Sequence, residues 1–192
     1  QAWSEGRFKK SIIPVKAKNP DFVYFGGIYP QAAVILRQMR EKGIKAAFMG
    51  PDGLDSSELA KIAGKAVVGS YYTTVAGPPS AYREAAAFVK TFKQRFGKDS
   101  ESFSMYAYDA TAVGIKAIEA AIKDAKGKKP TREQVAAAVR QVKHRGITGD
   151  IRFDSKGDPL KAKYFVLKFE KEEYPGKIVK VLEIEAPPLK KP

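Results

Sequence analysis

The chain contains no cysteine, which excludes disulfides, thiolate catalysis and cysteine-ligated metal sites. Histidine is almost as scarce. His144 is alone and sits between Lys143 and Arg145, where it reads as a surface residue near a helix C-terminus. One imidazole without cysteine falls short of a zinc ligand set. The sequence also lacks a G-x-S-x-G elbow, a G-x-G-x-x-G fingerprint and a P-loop. An enzyme, a metal and a bound cofactor are therefore not expected. No apolar run approaches the ~18 residues of a membrane-spanning helix, and no secretory leader is visible.

Acidic residues are in short supply, with 21 Asp and Glu against 35 Lys and Arg, for a net charge of +14. Such a surplus raises the alternative of a basic nucleic-acid-binding module. The cations are scattered, however, as at Lys90, Lys93, Lys123 and Lys126. They form no dense block and no base-reading signature, so a solvated lysine-rich surface and no nucleic-acid partner are expected. What is present is globular: 192 residues, 44% hydrophobic and 29% charged, enough for one or two domains with a real core.

Along the chain, residues 7–17 read as a helix with Phe8, Ile12, Ile13 and Ala17 on one face, weakened by Pro14. Phe22 to Phe25 form a short apolar run that suits a strand buried on both faces. Ala32, Ile35, Leu36 and Met39 recur at helical spacing, and Gly43 stops that helix. A second strand runs from Ile44 to Met49. Asp55 with Glu58 reads as a helix cap, and a third strand spans Ala66 to Tyr72. The alternation implies a parallel sheet with short connections.

The pattern then changes. Ser80 caps a helix lined by Tyr82, Ala85, Val89, Phe92 and Phe96, and a long helix from about Tyr106 to Ala125 follows. Its inward stripe is Ala110, Val113, Ala117 and Ala121. Thr131 to Gln134 form a capping box, with Val135, Val139 and Val142 facing inward. Gly149 to Phe153 reads as a strand leading into a glycine turn, and Tyr164–Phe169 with Ile178–Ile184 as a hairpin.

Two strand ends carry the chemistry. Gly26, Gly27, Ile28 and Tyr29 end one strand, and Gly50, Pro51, Asp52 and Gly53 end the next parallel one, so they lie side by side. Free backbone N–H groups at a helix start, a carboxylate and a ring suit a zwitterionic amino acid better than a phosphate. Taken alone, Asp52 reads as a turn aspartate, Tyr29 as a helix-start residue and Tyr108 as a core ring.

Several stretches carry a family resemblance: Phe22-Val23-Tyr24-Phe25-Gly26-Gly27-Ile28-Tyr29-Pro30, Leu36-Arg37-Gln38-Met39-Arg40 and Phe48-Met49-Gly50-Pro51-Asp52-Gly53. Leu59 to Gly64, Tyr106-Ala107-Tyr108-Asp109-Ala110 and Gly146 to Asp158 continue it. In this order they resemble the Leu/Ile/Val-binding proteins of branched-chain amino acid ABC transporters, from about Phe8 to Glu183.

The resemblance implies an α/β type I periplasmic binding fold, here a parallel-sheet, three-layer lobe that is incomplete, with part of its partner lobe. Residues 1–75 and 160–192 would be part of the C-terminal lobe, and 76–159 the returning segment of the N-terminal lobe. It also implies capture of a Leu/Ile/Val-like amino acid in an interlobe cleft and delivery to a membrane permease. The location would be periplasmic or extracellular, from a precursor with a signal peptide. Asp52 would hold the ligand ammonium, Gly27, Ile28 and Tyr29 would line the same jaw, and Tyr108 would come from the other lobe. Ile28 stands where the family carries an aromatic residue. Family members are about twice as long as a ~150-residue domain, so the chain is expected to be a C-terminal fragment that binds weakly or not at all and dimerises, swaps or rearranges through 76–158. A regulatory ligand sensor of the same fold is the alternative.

Overall fold

The computed structural model describes residues 6–185, which divide into two units: 6–75 with 164–182, and 76–163 with 183–185. In the first, helix α1 (Gly6–Lys18) ends at Asn19, whose φ is +43°. Pro20 follows and cannot continue the helix. Ile12 is buried, but Ile13 and Ala17 are exposed, so the inward stripe is narrower than the sequence pattern implies.

Strands β1 (Phe22–Tyr24), β2 (Ala47–Gly50) and β3 (Tyr71–Thr74) run parallel, with Val23 opposite Phe48 and Met49 opposite Tyr71. Helix α2 (Tyr29–Glu41) connects the first two strands. The expected parallel order holds, and strand β6 (Lys161–Lys168) then joins β3 antiparallel, with Tyr72 opposite Leu167. Its neighbour β7 (Lys177–Glu185) completes the order β1-β2-β3-β6-β7. The sheet is therefore mixed.

Burial alternates along these strands. Phe48, Tyr72, Thr74, Phe165 and Leu167 are buried, whereas Met49, Tyr71 and Thr73 are half-buried. Leu36 and Met39 of α2 and Leu59 of α3 (Ser57–Ala63) are buried in the same unit. Two readings of this unit need correction. β1 is an edge strand, and Phe22 and Tyr24 are 51% and 58% exposed rather than buried on both faces. The third strand begins at Tyr71, because Gly64 and Gly69 take φ of +55° and +84° around a 3-10 turn, Gly64–Val67. Those positive φ values suit glycine and break an extended run.

In the second unit, Pro79–Ala81 form a 3-10 turn and helix α4 (Ala85–Phe96) begins only afterwards. Ser80 is thus not its cap and Tyr82 lies outside it. Gly97 stops α4 at φ +68°, its N–H donating to the Lys93 carbonyl. Helix α5 (Ser102–Asp124) buries Met105, Val113, Ala117 and Ala121, while Ala110 is exposed. Helix α6 (Arg132–Gln141) carries the expected capping box: the Gln134 N–H donates to Thr131 Oγ1 at 3.2 Å and the Thr131 N–H to Gln134 Oε1 at 2.8 Å. Val113, Ala117 and Val142 form a small core with Ala138, Val139, Ile151 and Phe153 around it. Strands β4 (His144–Arg145) and β5 (Asp150–Ile151) pair antiparallel beside that core. No helix among the described residues is long and apolar enough to cross a membrane.

Candidate functional site

In the first unit the two strand ends meet. The Phe25 N–H donates to the Met49 carbonyl at 2.9 Å, extending the β1–β2 ladder to the turns themselves. Beyond it the chain passes through Gly26 and Gly27 into α2, where Ile28 occupies the cap position with extended backbone and supplies no side-chain acceptor. The first-turn amides are therefore left uncapped by Ile28, the arrangement that lets a helix start receive an anionic group.

After β2, residues Asp52–Leu54 make a 3-10 turn closed by the Asp55 N–H donating to the Asp52 carbonyl at 2.9 Å. A Cβ on Gly53 would lie 2.5 Å from the Gly27 carbonyl oxygen and 3.0 Å from Ile28 Cγ2. The two turns thus touch through backbone, and only glycine fits at the contact. Gly50 is equally confined, since a Cβ there would sit 2.9 Å from the Phe25 carbonyl oxygen. Gly27 is confined as well, since a Cβ there would lie 2.5 Å from the Phe25 ring, whereas one on Gly26 would meet Tyr24 Cε1 at 4.0 Å, an ordinary contact.

Gly27, Ile28, Tyr29 and Asp52 accordingly belong to one platform, with Asp52 and Ile28 exposed and Tyr29 half-buried. The exposed carboxylate offers an acceptor for an ammonium, and the backbone amides of the adjoining helix start offer donors for a carboxylate.

Asp55 does something different from the cap assigned to it. Ser56 caps α3, its Oγ accepting from the Glu58 N–H at 3.3 Å. Asp55 is buried and accepts from Thr74 Oγ1 at 2.8 Å and from the Tyr174 hydroxyl at 2.7 Å. It thereby ties the turn after β2 to the end of β3 and to the loop between β6 and β7. Beneath it the Tyr72 hydroxyl accepts from the Gly176 N–H at 3.3 Å. No local sequence pattern signals this support, because its partners lie 19 and 119 residues away.

Tyr108 lies in the second unit, on α5, 58% exposed and with its ring 5.4 Å from that of Phe88. Beside it Asp109 is buried and accepts from the Ile147 N–H at 3.0 Å, the Thr148 N–H at 2.8 Å and Thr148 Oγ1 at 2.7 Å. A Cβ on Gly146 would collide with that carboxylate. His144 is not a surface residue: its side chain is only 12% exposed, with Nδ1 2.9 Å from Lys116 Nζ and Nε2 3.9 Å from Asp109 Oδ1. Glu84, Tyr108, Asp109, His144, Arg145 and Ile147 line a cleft of about 440 Å³. At the start of this unit, burial and the adjoining Tyr106 hydroxyl 3.1 Å away push the Tyr82 phenol above its ordinary range. Tyr82 also accepts from the Gly77 N–H at 3.1 Å. No cluster of metal-ligating side chains occurs among the described residues.

Comparison with known proteins places this geometry in a lineage. A profile described as periplasmic binding protein matches residues 4–173. A Leu/Ile/Val-binding protein homolog of Brucella abortus is 36% identical over 170 residues, 88% of this chain and 44% of that protein. A leucine-, isoleucine-, valine-, threonine- and alanine-binding protein of Pseudomonas aeruginosa is 34% identical over 168 residues, 86% of this chain and 42% of its own. Among solved structures, a leucine binding protein of Thermotoga maritima matches with a TM-score of 0.77 and 31% identity, over 91% of this chain and 48% of that one. A branched-chain amino acid transporter substrate-binding protein of Streptococcus pneumoniae, at 21% identity and a TM-score of 0.75, shares the fold. The chain spans less than half the length of the curated relatives it matches. On the profile match and these identities, the chain belongs to the periplasmic binding protein family.

Proposed function

We propose that this chain serves in the substrate-binding component of an ABC importer for branched-chain or similar amino acids. That component works in the periplasm or outside the cell and hands its ligand to a membrane permease. The relatives' names supply the ligand class. The observation that carries the reading is the contact of Gly53 with Gly27 and Ile28, which sets the Asp52 turn against the start of α2.

In this reading Asp52 takes the ligand ammonium, and the backbone at Gly27 and Ile28, with the Tyr29 ring, forms the wall around it. Tyr108 is the second unit's candidate for ligand contact. Residues 6–75 with 164–182 correspond to the C-terminal lobe and 76–163 to the returning segment of the N-terminal lobe.

Titration with leucine, isoleucine and valine to millimolar concentration, followed by amide NMR shifts, tests the platform. Saturable shifts at Gly27, Ile28 and Gly53 are expected. Asp52→Ala should weaken binding by about 2–5 kcal/mol, the cost of truncating one partner of a charge-assisted contact. Unchanged affinity in that variant would remove Asp52 from the ammonium role, and Tyr108→Ala tests the other candidate separately. Self-association belongs to the same proposal, since Ile115, Ile118 and Ile122 of α5 are exposed at helical spacing. Sedimentation velocity measures it directly.

A further inference from the structure

β7 is the last strand of the five-stranded sheet, so its outer edge pairs with no other described strand. It is nine residues long, Lys177–Glu185, above the common strand length of ~5–6. Val179, Val181, Leu182 and Ile184 are all exposed on it. A long apolar edge with a row of unpaired N–H and C=O groups is a template for another strand.

The charges on the strand are ordered: lysines at 177 and 180, glutamates at 183 and 185. We infer that β7 is the docking edge for a second copy of this chain, pairing antiparallel with its own counterpart about a two-fold axis through Val181.

The register follows from charge and pleat. A two-fold axis perpendicular to the sheet pairs residues of equal parity, because directly opposed side chains lie on the same face. Centring the pair on Val181 sets Lys177 opposite the partner copy's residue 185, a glutamate, and does so twice by symmetry. It also sets Ile178 opposite Ile184. Centring one residue earlier opposes Lys180 to itself, and centring two residues later opposes Glu183 to itself. Like charges directly opposed are destabilising. Centring on Leu182 opposes no lysine to a glutamate. Only the Val181 register keeps the whole strand paired and matches opposite charges. Lys177 lies 3.4 Å from Glu170 and Glu183 3.3 Å from Lys163 on the same chain. The first of these is an exposed contact that leaves the Lys177 ammonium free to serve a second carboxylate.

A parallel pairing is disfavoured by the same pattern, since in register it stacks each lysine on a lysine. The inference rests on the self-association proposed above and places it on the β7 edge in place of the exposed isoleucines of α5.

Because the chain has no cysteine, a single Val181→Cys substitution gives a background-free test. Opposed residues in an antiparallel ladder have Cα atoms about 4.5–5.5 Å apart, inside the range a disulfide spans. Under mild oxidation Val181→Cys should form a covalent dimer, whereas Ile115→Cys on α5 should not. Glu185→Lys should weaken the dimer by roughly five- to tenfold in sedimentation equilibrium, the effect of two lost cross-strand charge pairs. Adding Lys177→Glu should restore it, with far-UV circular dichroism unchanged throughout. A wild-type chain that stays monomeric at 100 µM, about a hundredfold above a micromolar dissociation constant, overturns both the self-association and this surface. A dimer that crosslinks through residue 115 and ignores the charge variants leaves self-association standing and overturns β7 as its edge.

Discussion

The two units are built on different economies of burial. The first owns a five-stranded sheet, and Leu36, Leu54, Leu59, Val67, Tyr72 and Leu167 are fully removed from water against it. The second owns long helices and a two-stranded ladder, and its buried apolar side chains are mostly small: Ala76, Ala85, Ala117 and Ala121, with Val113, Val142 and Met105. A sheet presents a broad face on which helices lay several large side chains at once. A helix pair buries one stripe of each partner and leaves the rest to solvent. The outward isoleucines of α5 are that remainder. The second unit compensates with polar ties, above all the three hydrogen bonds that Asp109 accepts from Ile147 and Thr148.

The contrast is broken most directly at the cores. Leu36→Ala should cost about 2–5 kcal/mol, the range for a fully buried leucine. Val113→Ala removes two methyl groups and should cost roughly 1.5 kcal/mol at ~0.8 kcal/mol each. Urea unfolding followed by circular dichroism, with hydrogen exchange to locate the loss, compares them. Equal costs, or exchange in α5 as slow as in α2, would erase the distinction.

Asp52 and Asp55 sharpen it within one turn. Asp55→Ala removes the carboxylate that accepts from the Thr74 and Tyr174 hydroxyls and should cost about 2 kcal/mol. Asp52→Ala should stay within ~0.5 kcal/mol, as surface substitutions usually do, while removing ligand binding. The reverse order in thermal melts would mean that the exposed carboxylate is the structural one.

Smaller and more local effects come from two glycines, one in each unit. Gly53→Ala drives a Cβ into the Gly27 carbonyl, a backbone atom that can yield only if the turns part, at about 1–3 kcal/mol. Gly146→Ala meets the Asp109 carboxylate, which can shift by giving up part of its grip on Ile147 and Thr148. It should cost less, with faster amide exchange confined to residues 146–149.

What was legible in the sequence is what is decided locally or by chain order. The α6 capping box, the Gly97 stop and the parallel order of β1 to β3 needed only neighbouring residues and the alternation of elements. The platform at Gly27, Ile28, Tyr29 and Asp52 was legible as a place, because consecutive parallel strands end side by side. What failed depended on distant partners. The run Asp55-Ser56-Ser57-Glu58 offers two acceptable caps, and Asp55 is withdrawn from capping by Thr74 and Tyr174. His144 looks solvated among Lys143 and Arg145 until Asp109 and Lys116 arrive from α5. Phe22 and Tyr24 are apolar enough for a central strand, and only the strand order makes β1 an edge.

The smallest expected effect concerns how far the second unit leans on charge. Asp154 holds the turn before β6: its Oδ1 accepts from the Asp158 N–H at 2.9 Å and the Lys156 N–H at 2.8 Å, and Lys156 Nζ lies 3.9 Å from Oδ2. These contacts, the Asp158 amide foremost, hold its carboxyl below the ordinary aspartate range. A depressed carboxyl favours the fold once it is ionised. The contribution is therefore fully present above the unfolded aspartate value of about 3.9, and it is lost as pH falls through the lower folded value. Amide shifts of Lys156 and Asp158 should report a midpoint under that ordinary value. Asp154→Asn keeps an acceptor oxygen, so the turn should persist while the pH dependence of those two amides disappears. A midpoint at or above the ordinary value would show that the turn is held by its Phe153–Pro159 bridge and not by the charge.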